Sequence, residues 1–243
     1  MRHPHPTYPH LCNRAMLTLL TPTGSRPQAW AQCQRWMQRQ TYTGPVHWVV
    51  IDDGEQPQDV AFERDGWTVE VVRRKPHWQH GQNTQAANLL AGLDFVHPQD
   101  WLAIIEDDDA YLPNYLSTVT AWLQFAELVG ETHARYYNVP QRRYRQLTNS
   151  RHASLCSTAL RGPAIAALRN LCQPGVQYID VNLWSSYTGS KGLHKTQHTV
   201  GMKGLPGRGG IGMGHKKDFQ GFPDQKGSVL KQWIGDFSKD YTQ

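Results

Sequence analysis

Apolar residues in the first half of the chain fall into two alternating kinds of run. Short stretches at residues 16–20, 46–51, 67–72 and 101–105 are rich in Leu, Ile, Val and Trp. They stop at polar or turn residues, which is the pattern of buried strands. Between them, Trp30, Cys33 and Met37 recur near helical spacing over residues 28–40. Ala86, Ala87, Leu90 and Leu93 share one side of residues 82–93, and residues 113–129 carry a third helical pattern. Ser25 and Pro27 read as N-cap and first-turn proline of the first helix. Alternation of strand and helix predicts an α/β fold with a mostly parallel sheet, flanking helices and right-handed crossovers. The His- and Pro-rich residues 1–13 are expected to be a flexible leader. Beyond residue 130 the clear alternation ends, and an irregular tail is expected.

Polar residues cluster where the strands end. Ser25 and Arg26, Asp52 and Asp53, and the run Glu106-Asp107-Asp108-Asp109 each follow an apolar run. In open α/β sheets ligands bind at that edge, so the three clusters predict one crevice. Neither GxGxxG nor GxxxxGK[ST] occurs, which argues against a dinucleotide-dependent dehydrogenase and a P-loop NTPase. Four adjacent acids repel one another unless solvated or holding a cation. Hard carboxylate oxygens suit Mg²⁺ or Mn²⁺ shared with a substrate phosphate. The plain structural reading of the run is an acidic helix start.

Charge adds a second asymmetry. The 243 residues carry a formal +5, but 15 acidic and 9 basic residues precede Thr132, whereas 5 acidic and 16 basic follow it. Between Thr132 and Lys217 the lone carboxylate is Asp180. Such a field favours a polyanionic partner. The four cysteines are scattered without a CxxC pair, which excludes a disulfide scaffold and a zinc knuckle and reads as reduced thiols. No apolar run approaches the roughly 20 residues of a membrane span, and the start has no apolar signal core. A soluble, cytoplasmic enzyme is expected, in a host cytoplasm if the chain is phage-encoded.

"LLTPTGSRPQAW", "HWVVIDDGE" and "WLAIIEDDDAYLPNYL" follow one another over residues 15–130. In that order they resemble the family-two glycosyltransferases of GT-A (Rossmann-like) fold. The resemblance implies that residues 14–130 bind a nucleotide sugar, favouring a UDP-sugar. It assigns Thr21, Pro22, Thr23, Arg26, Asp52 and Asp53 to the donor nucleotide. The acid run implies an Asp-x-Asp motif in one of two registers, Glu106/Asp108 or Asp107/Asp109. Asp107 then joins the donor site, while Glu106, Asp108 and Asp109 are candidate ligands for Mn²⁺ or Mg²⁺, with Asp108 the favoured direct ligand. "STALRGPAIAAL" resembles the family's acceptor-side segment. "VQYIDVNLW" resembles its Glu-Asp-x-x-Leu motif, whose Asp is the catalytic base of an inverting transfer; Ile179 replaces the Glu and Asp180 keeps the Asp. "KTQHTVGMKG" resembles a late Gln-His-x-Gly segment and makes His198 a metal or diphosphate ligand. Residues 131–200 become the acceptor half. Residues 201–243 begin with a Gly-rich basic loop whose Lys203 and Arg208 are expected to close over the diphosphate.

The acceptor is read from residues 135–152, where five arginines interleave with tyrosines. Arginine contacts phosphate and aromatic rings stack on bases. Arg142, Arg143, Tyr144, Arg145, Arg151 and Lys216 are therefore candidate DNA contacts. The chain is similar, in its compact length and Gly-rich tail, to phage enzymes that glycosylate hydroxymethylated pyrimidines in DNA. A saccharide or lipopolysaccharide acceptor is the alternative. A metal-dependent nuclease would also use clustered acids and a basic face.

Overall fold

The computed structural model describes residues 15–79, 82–173, 175–209, 215 and 219–241. The expected leader and Lys216 lie outside them. In chain order the elements are β1 (Leu17–Thr23), α1 (Pro27–Gln38), β2 (Val46–Asp52), β3 (Trp67–Arg73), α2 (Gln85–Leu93), β4 (Trp101–Ile104), β5 (Ala110–Tyr111) and α3 (Tyr115–Trp122). There follow β6 (Leu128–Glu131), β7 (His133–Asn138), β8 (Arg143–Thr148), β9 (Thr158–Arg161), α4 (Pro163–Leu171), α5 (Ile179–Ser186), β10 (Lys191–His194), β11 (Thr199–Lys203), β12 (Phe222–Pro223) and α6 (Ser228–Ile234).

Seven strands form the main sheet in the order β10-β6-β9-β4-β1-β2-β3. The β1–β2, β1–β4, β2–β3 and β6–β10 pairs are parallel, and only β9 runs antiparallel to its neighbours. β1 lies between two partners, and Leu17, Leu19 and Leu20 are fully buried. A strand covered on both faces is mostly apolar, and the buried Thr18 among these leucines donates to Asp100 at 2.8 Å. α1 buries Trp30, Cys33, Trp36 and Met37 against one face, and Trp30 meets Trp48 of β2 at 5.2 Å between ring centroids. The α/β expectation for the first half therefore describes the observed sheet. Its details shift locally. Ser25 does not cap α1; Arg26 is the N-cap residue, and the Ser25 hydroxyl accepts the Glu55 N–H at 3.2 Å.

Larger differences lie downstream. The helical pattern over residues 113–129 covers a helix and a strand, because α3 stops at Trp122 and the buried Leu128 and Val129 begin β6. Short apolar runs do not separate helix from strand by periodicity. The region expected to be irregular contains a second sheet, β12-β8-β7-β11-β5. Even the tail is ordered at residues 219–241, where the Trp36 indole donates to the Tyr241 hydroxyl at 2.8 Å. β5 starts directly after the acid run and pairs with β11, so the second sheet carries Lys203 to the tip of β4. Among the described residues Cys33, Cys156 and Cys172 are free thiols, and no helix is long and apolar enough to cross a membrane.

Candidate active site

The carboxyl ends of β1, β2 and β4 open into a cavity of about 770 Å³. Pro22, Thr23, Gly24, Arg26, Asp53, Glu106, Asp107 and Asp108 line one part of it, and Asp180, Lys203, Arg208 and Arg145 complete the wall. The three strand-tip clusters and the isolated carboxylate at position 180 thus meet in one space.

Arg26 organises the acids. Its guanidinium nitrogens lie 2.8 Å from Asp107 Oδ1 and 2.6 Å from Asp108 Oδ2. Thr23 donates to the second Asp107 oxygen at 2.8 Å, so both Asp107 oxygens are engaged. Asp108 retains an Oδ1 with no hydrogen bond among the described residues, and it lines the cavity. Asp109 Oδ1 accepts the Met202 N–H at 2.9 Å and the Lys203 ammonium at 3.1 Å, while its buried Oδ2 has no hydrogen-bond partner among the described residues. Gln85 donates to Glu106 Oε1. Ligand atoms of Glu106, Asp109 and Cys156 lie within 4.8 Å of one another.

Burial dominates the electrostatics of the acid run. Burial, only partly offset by Arg26 and reinforced by Asp108, pushes Asp107 up to about 6. Burial outweighs Lys203 at both Glu106 and Asp109, and both are raised. Asp108 runs the other way: burial would raise it, but Arg26, Lys203 and His215 hold it below the usual carboxylate range. The ionised Asp108, its open oxygen and the unpartnered Asp109 oxygen are hard donors that fit a divalent cation. Glu106, Asp108 and Asp109 would hold it.

Asp53 and Arg208 close the far end. Arg208 grips both Asp53 oxygens, one at 3.1 Å, and donates to the Gly24 carbonyl at 3.2 Å and to Thr84 at 3.3 Å. Its guanidinium lies 5.5 Å from the Trp78 ring centroid. Burial alone would raise Asp53, yet bonds from Arg208 and Asn88 lower it. A Cβ on Gly24 would overlap Arg208 and Asp53, so only glycine fits this turn. Arg208 was expected over the diphosphate; it sits instead on the carboxylate assigned to the nucleoside.

Several sequence expectations need correction. Asp52 does not line the cavity. Its oxygens accept the Gly54 and Gln58 N–H groups at 2.9 and 2.8 Å and pair with Arg73, which fixes the turn after β2. Thr21 is fully buried and accepts the Trp48 indole N–H at 2.9 Å. His198 is not at the acid run. Glu131, 1% exposed, accepts its backbone N–H at 2.7 Å, and its Nδ1 lies 2.8 Å from the same oxygen. Thr196 and Thr199 add three further donors to Glu131, a reason for these residues that lies 67 positions upstream of His198. Glu131→Ala is expected to cost about 3 kcal/mol, because buried donors lose their acceptor; urea unfolding measures it. Burial would raise Glu131 but these bonds lower it below its ordinary value of 4.5. Its contribution is therefore complete above pH 4.5 and is lost as pH falls through the lower folded value.

The histidine that does reach the acids is His215, with Nε2 3.9 Å from Asp108 Oδ2. Burial and Lys203 push it down to about 4. Nothing in its Gly-rich setting marks it among the basic residues around it. On the acceptor side, Arg145 lines the cavity, whereas Tyr144 does not and packs against Phe222 and Trp233. Arg142 is tied to the Gln225 carbonyl at 3.1 Å, and Arg143 and Arg151 are exposed away from the cavity wall.

No protein-family model matches the sequence, and no curated protein does. Solved structures do. Staphylococcus aureus TarS, residues 1–349 in complex with UDP-GlcNAc, matches over 84% of this chain and 63% of its own at TM-score 0.55 and 11% identity. A mannosyltransferase from Pyrobaculum calidifontis in complex with GDP-Man and Mn²⁺ matches over 86% of this chain and 62% of its own at TM-score 0.55 and 13% identity. The mixed α/β fold, a central and mostly parallel sheet flanked by helices, is shared with these glycosyltransferase structures. A longer form of TarS matches over 77% of this chain and 36% of its own, so the chain spans between about a third and two thirds of the structures it matches.

Proposed function

We propose that the chain transfers a sugar from a nucleotide diphosphate sugar to a hydroxyl acceptor, with inversion. The observation that carries this reading is the convergence of the β1, β2 and β4 tips with Asp180 on one cavity. Asp53, Pro22 and Thr23 line the nucleoside end. A divalent ion held at Glu106, Asp108 and Asp109 would neutralise the diphosphate as it leaves. Arg26 keeps Asp108 ionised and aimed, and Lys203 balances Asp109.

Asp180 is the proposed base. It lies in the first turn of α5, and burial raises it, only partly offset by the Val181 N–H and by His152. A raised carboxylate is a better match for removing a hydroxyl proton near neutral pH. UDP-sugars are the expected donors, on the family resemblance, and the TarS complex with UDP-GlcNAc is in keeping with that.

A hydroxymethylated pyrimidine in DNA is the proposed acceptor, supported by the +11 half and the arginines of β8. Arg143→Ala with Arg151→Ala is expected to lower the slope of log affinity for DNA against log salt by about 2; an unchanged slope would favour a saccharide acceptor. The decisive screen offers UDP- and GDP-sugars with Mn²⁺ to hydroxymethylated DNA, unmodified DNA and oligosaccharides. Nucleotide diphosphate release with sugar on the hydroxymethylated DNA supports the reading. Cleaved DNA without nucleotide release would make the protein a nuclease.

A further inference from the structure

We propose that the cavity wall formed by β8 and the start of α5 is a subsite for a nucleic-acid strand, in which Arg145 takes a backbone phosphate and Tyr178 stacks on a base. This rests on the transfer reading above and adds what recognises the acceptor.

The cavity's cations divide unequally. Arg26 is paired with Asp107 and Asp108, Lys203 with Asp109, and Arg208 with Asp53. Arg145 lines the same cavity, yet no carboxylate lies within 4.0 Å of it and no side-chain hydrogen bond engages it among the described residues. A half-buried guanidinium without an anion among the described residues is suited to an external one.

Position separates that anion from the donor's diphosphate. In the second sheet β8 stands three strands from β5, which directly follows the acid run. At about 4.8 Å per strand, β8 lies roughly 14 Å from β5. On this reading the anion at Arg145 is the other substrate's.

Tyr178 supplies the second half of the argument. Its side chain is 63% exposed and it lines the cavity two residues before Asp180. Its backbone is held at φ 54 and ψ 51, a left-handed conformation that bulky residues rarely adopt. Val181, 42% exposed, extends the same ledge. An exposed aromatic beside the proposed base and an arginine unpaired among the described residues, both lining one cavity, match a ring joined to a phosphate. Base stacking on aromatics is sequence-tolerant, and arginine reads the backbone. Exposed Arg143, two residues from Arg145 on β8, and Arg151 continue the basic track outward.

The test is fluorescence anisotropy of a labelled single-stranded oligonucleotide carrying one hydroxymethylpyrimidine, with protein, Mn²⁺ and UDP present. A second oligonucleotide carries neutral methylphosphonate linkages beside that base. Arg145→Gln is expected to weaken binding of the charged oligonucleotide about 10- to 100-fold, the loss of a charge-assisted hydrogen bond. It should leave the neutral-linkage oligonucleotide nearly unaffected and UDP affinity unmoved. Tyr178→Ala should weaken both oligonucleotides and Tyr178→Phe neither. Equal losses on the two oligonucleotides, or a loss of UDP affinity, would overturn the phosphate role of Arg145. Tighter binding of a polyol phosphate or a neutral oligosaccharide than of the oligonucleotide would overturn the acceptor class. Nucleotide release from UDP-sugars, measured separately, keeps the two readings apart. Its absence alongside Arg145-dependent binding contradicts transfer alone, whereas its presence with binding indifferent to Arg145 contradicts the subsite alone.

Discussion

Asp108→Ala is expected to reduce metal-dependent turnover by about 10³-fold or more, the scale of losing a metal that stabilises a leaving diphosphate. Asp108 is singled out by what its neighbours lack. Asp107 spends both oxygens on Thr23 and Arg26, and Asp109 spends one on Lys203 and the Met202 N–H. Asp108 combines ionisation held by Arg26 with an oxygen on the cavity. The fold should survive, because Arg26 keeps Asp107 as a partner. The check is kcat across a Mn²⁺ titration beside thermal unfolding. A folded variant with undiminished turnover would remove Asp108 from the metal site.

Asp180→Asn should lower kcat by about 10²- to 10⁴-fold, the range for a lost general base. Asparagine keeps the shape of the α5 start and nearly the same polar contacts, so nucleotide affinity should hold. The pH profile carries the sign. A base works deprotonated, and burial raises Asp180 above its ordinary 3.8. Wild-type activity should therefore climb with pH along an acid limb displaced above the usual carboxylate range, and the variant's residual activity should lack that limb. Near-normal kcat, or an acid limb that persists, would reassign Asp180 to the structure of α5.

The legible parts of this chain are those in which local composition and burial agree. The strands β1, β2 and β4 are buried on both faces, so their residues are mostly apolar, and the polar and charged residues at their tips mark the crevice directly. The second sheet is hard to read for the opposite reason. β8 is Arg-Tyr-Arg-Gln-Leu-Thr, with one face turned to a polar cavity and its pattern dominated by charge. His198 looks like a ligand in its local motif, but Glu131 captures it from β6, a contact no local pattern encodes. Asp52 and Asp53 are adjacent and chemically identical. Only the direction in which β2 turns its side chains gives one to the Gly54–Gln58 turn and the other to the cavity. The place of His215 beside Asp108, and Arg145 without an ion pair among the described residues, emerge only after the chain is folded.

The central claim is that the acids at the end of β4 hold a divalent ion against the pyrophosphate of a nucleotide sugar. Calorimetric titration of UDP and GDP into the protein, with Mn²⁺ and then with EDTA, tests it most directly. The account predicts saturable binding of one nucleotide with Mn²⁺, weakened at least about tenfold by EDTA and by Asp108→Ala, as loss of a bridging cation implies. Binding equally tight in EDTA, or no binding of either nucleotide with Mn²⁺ present, would contradict it.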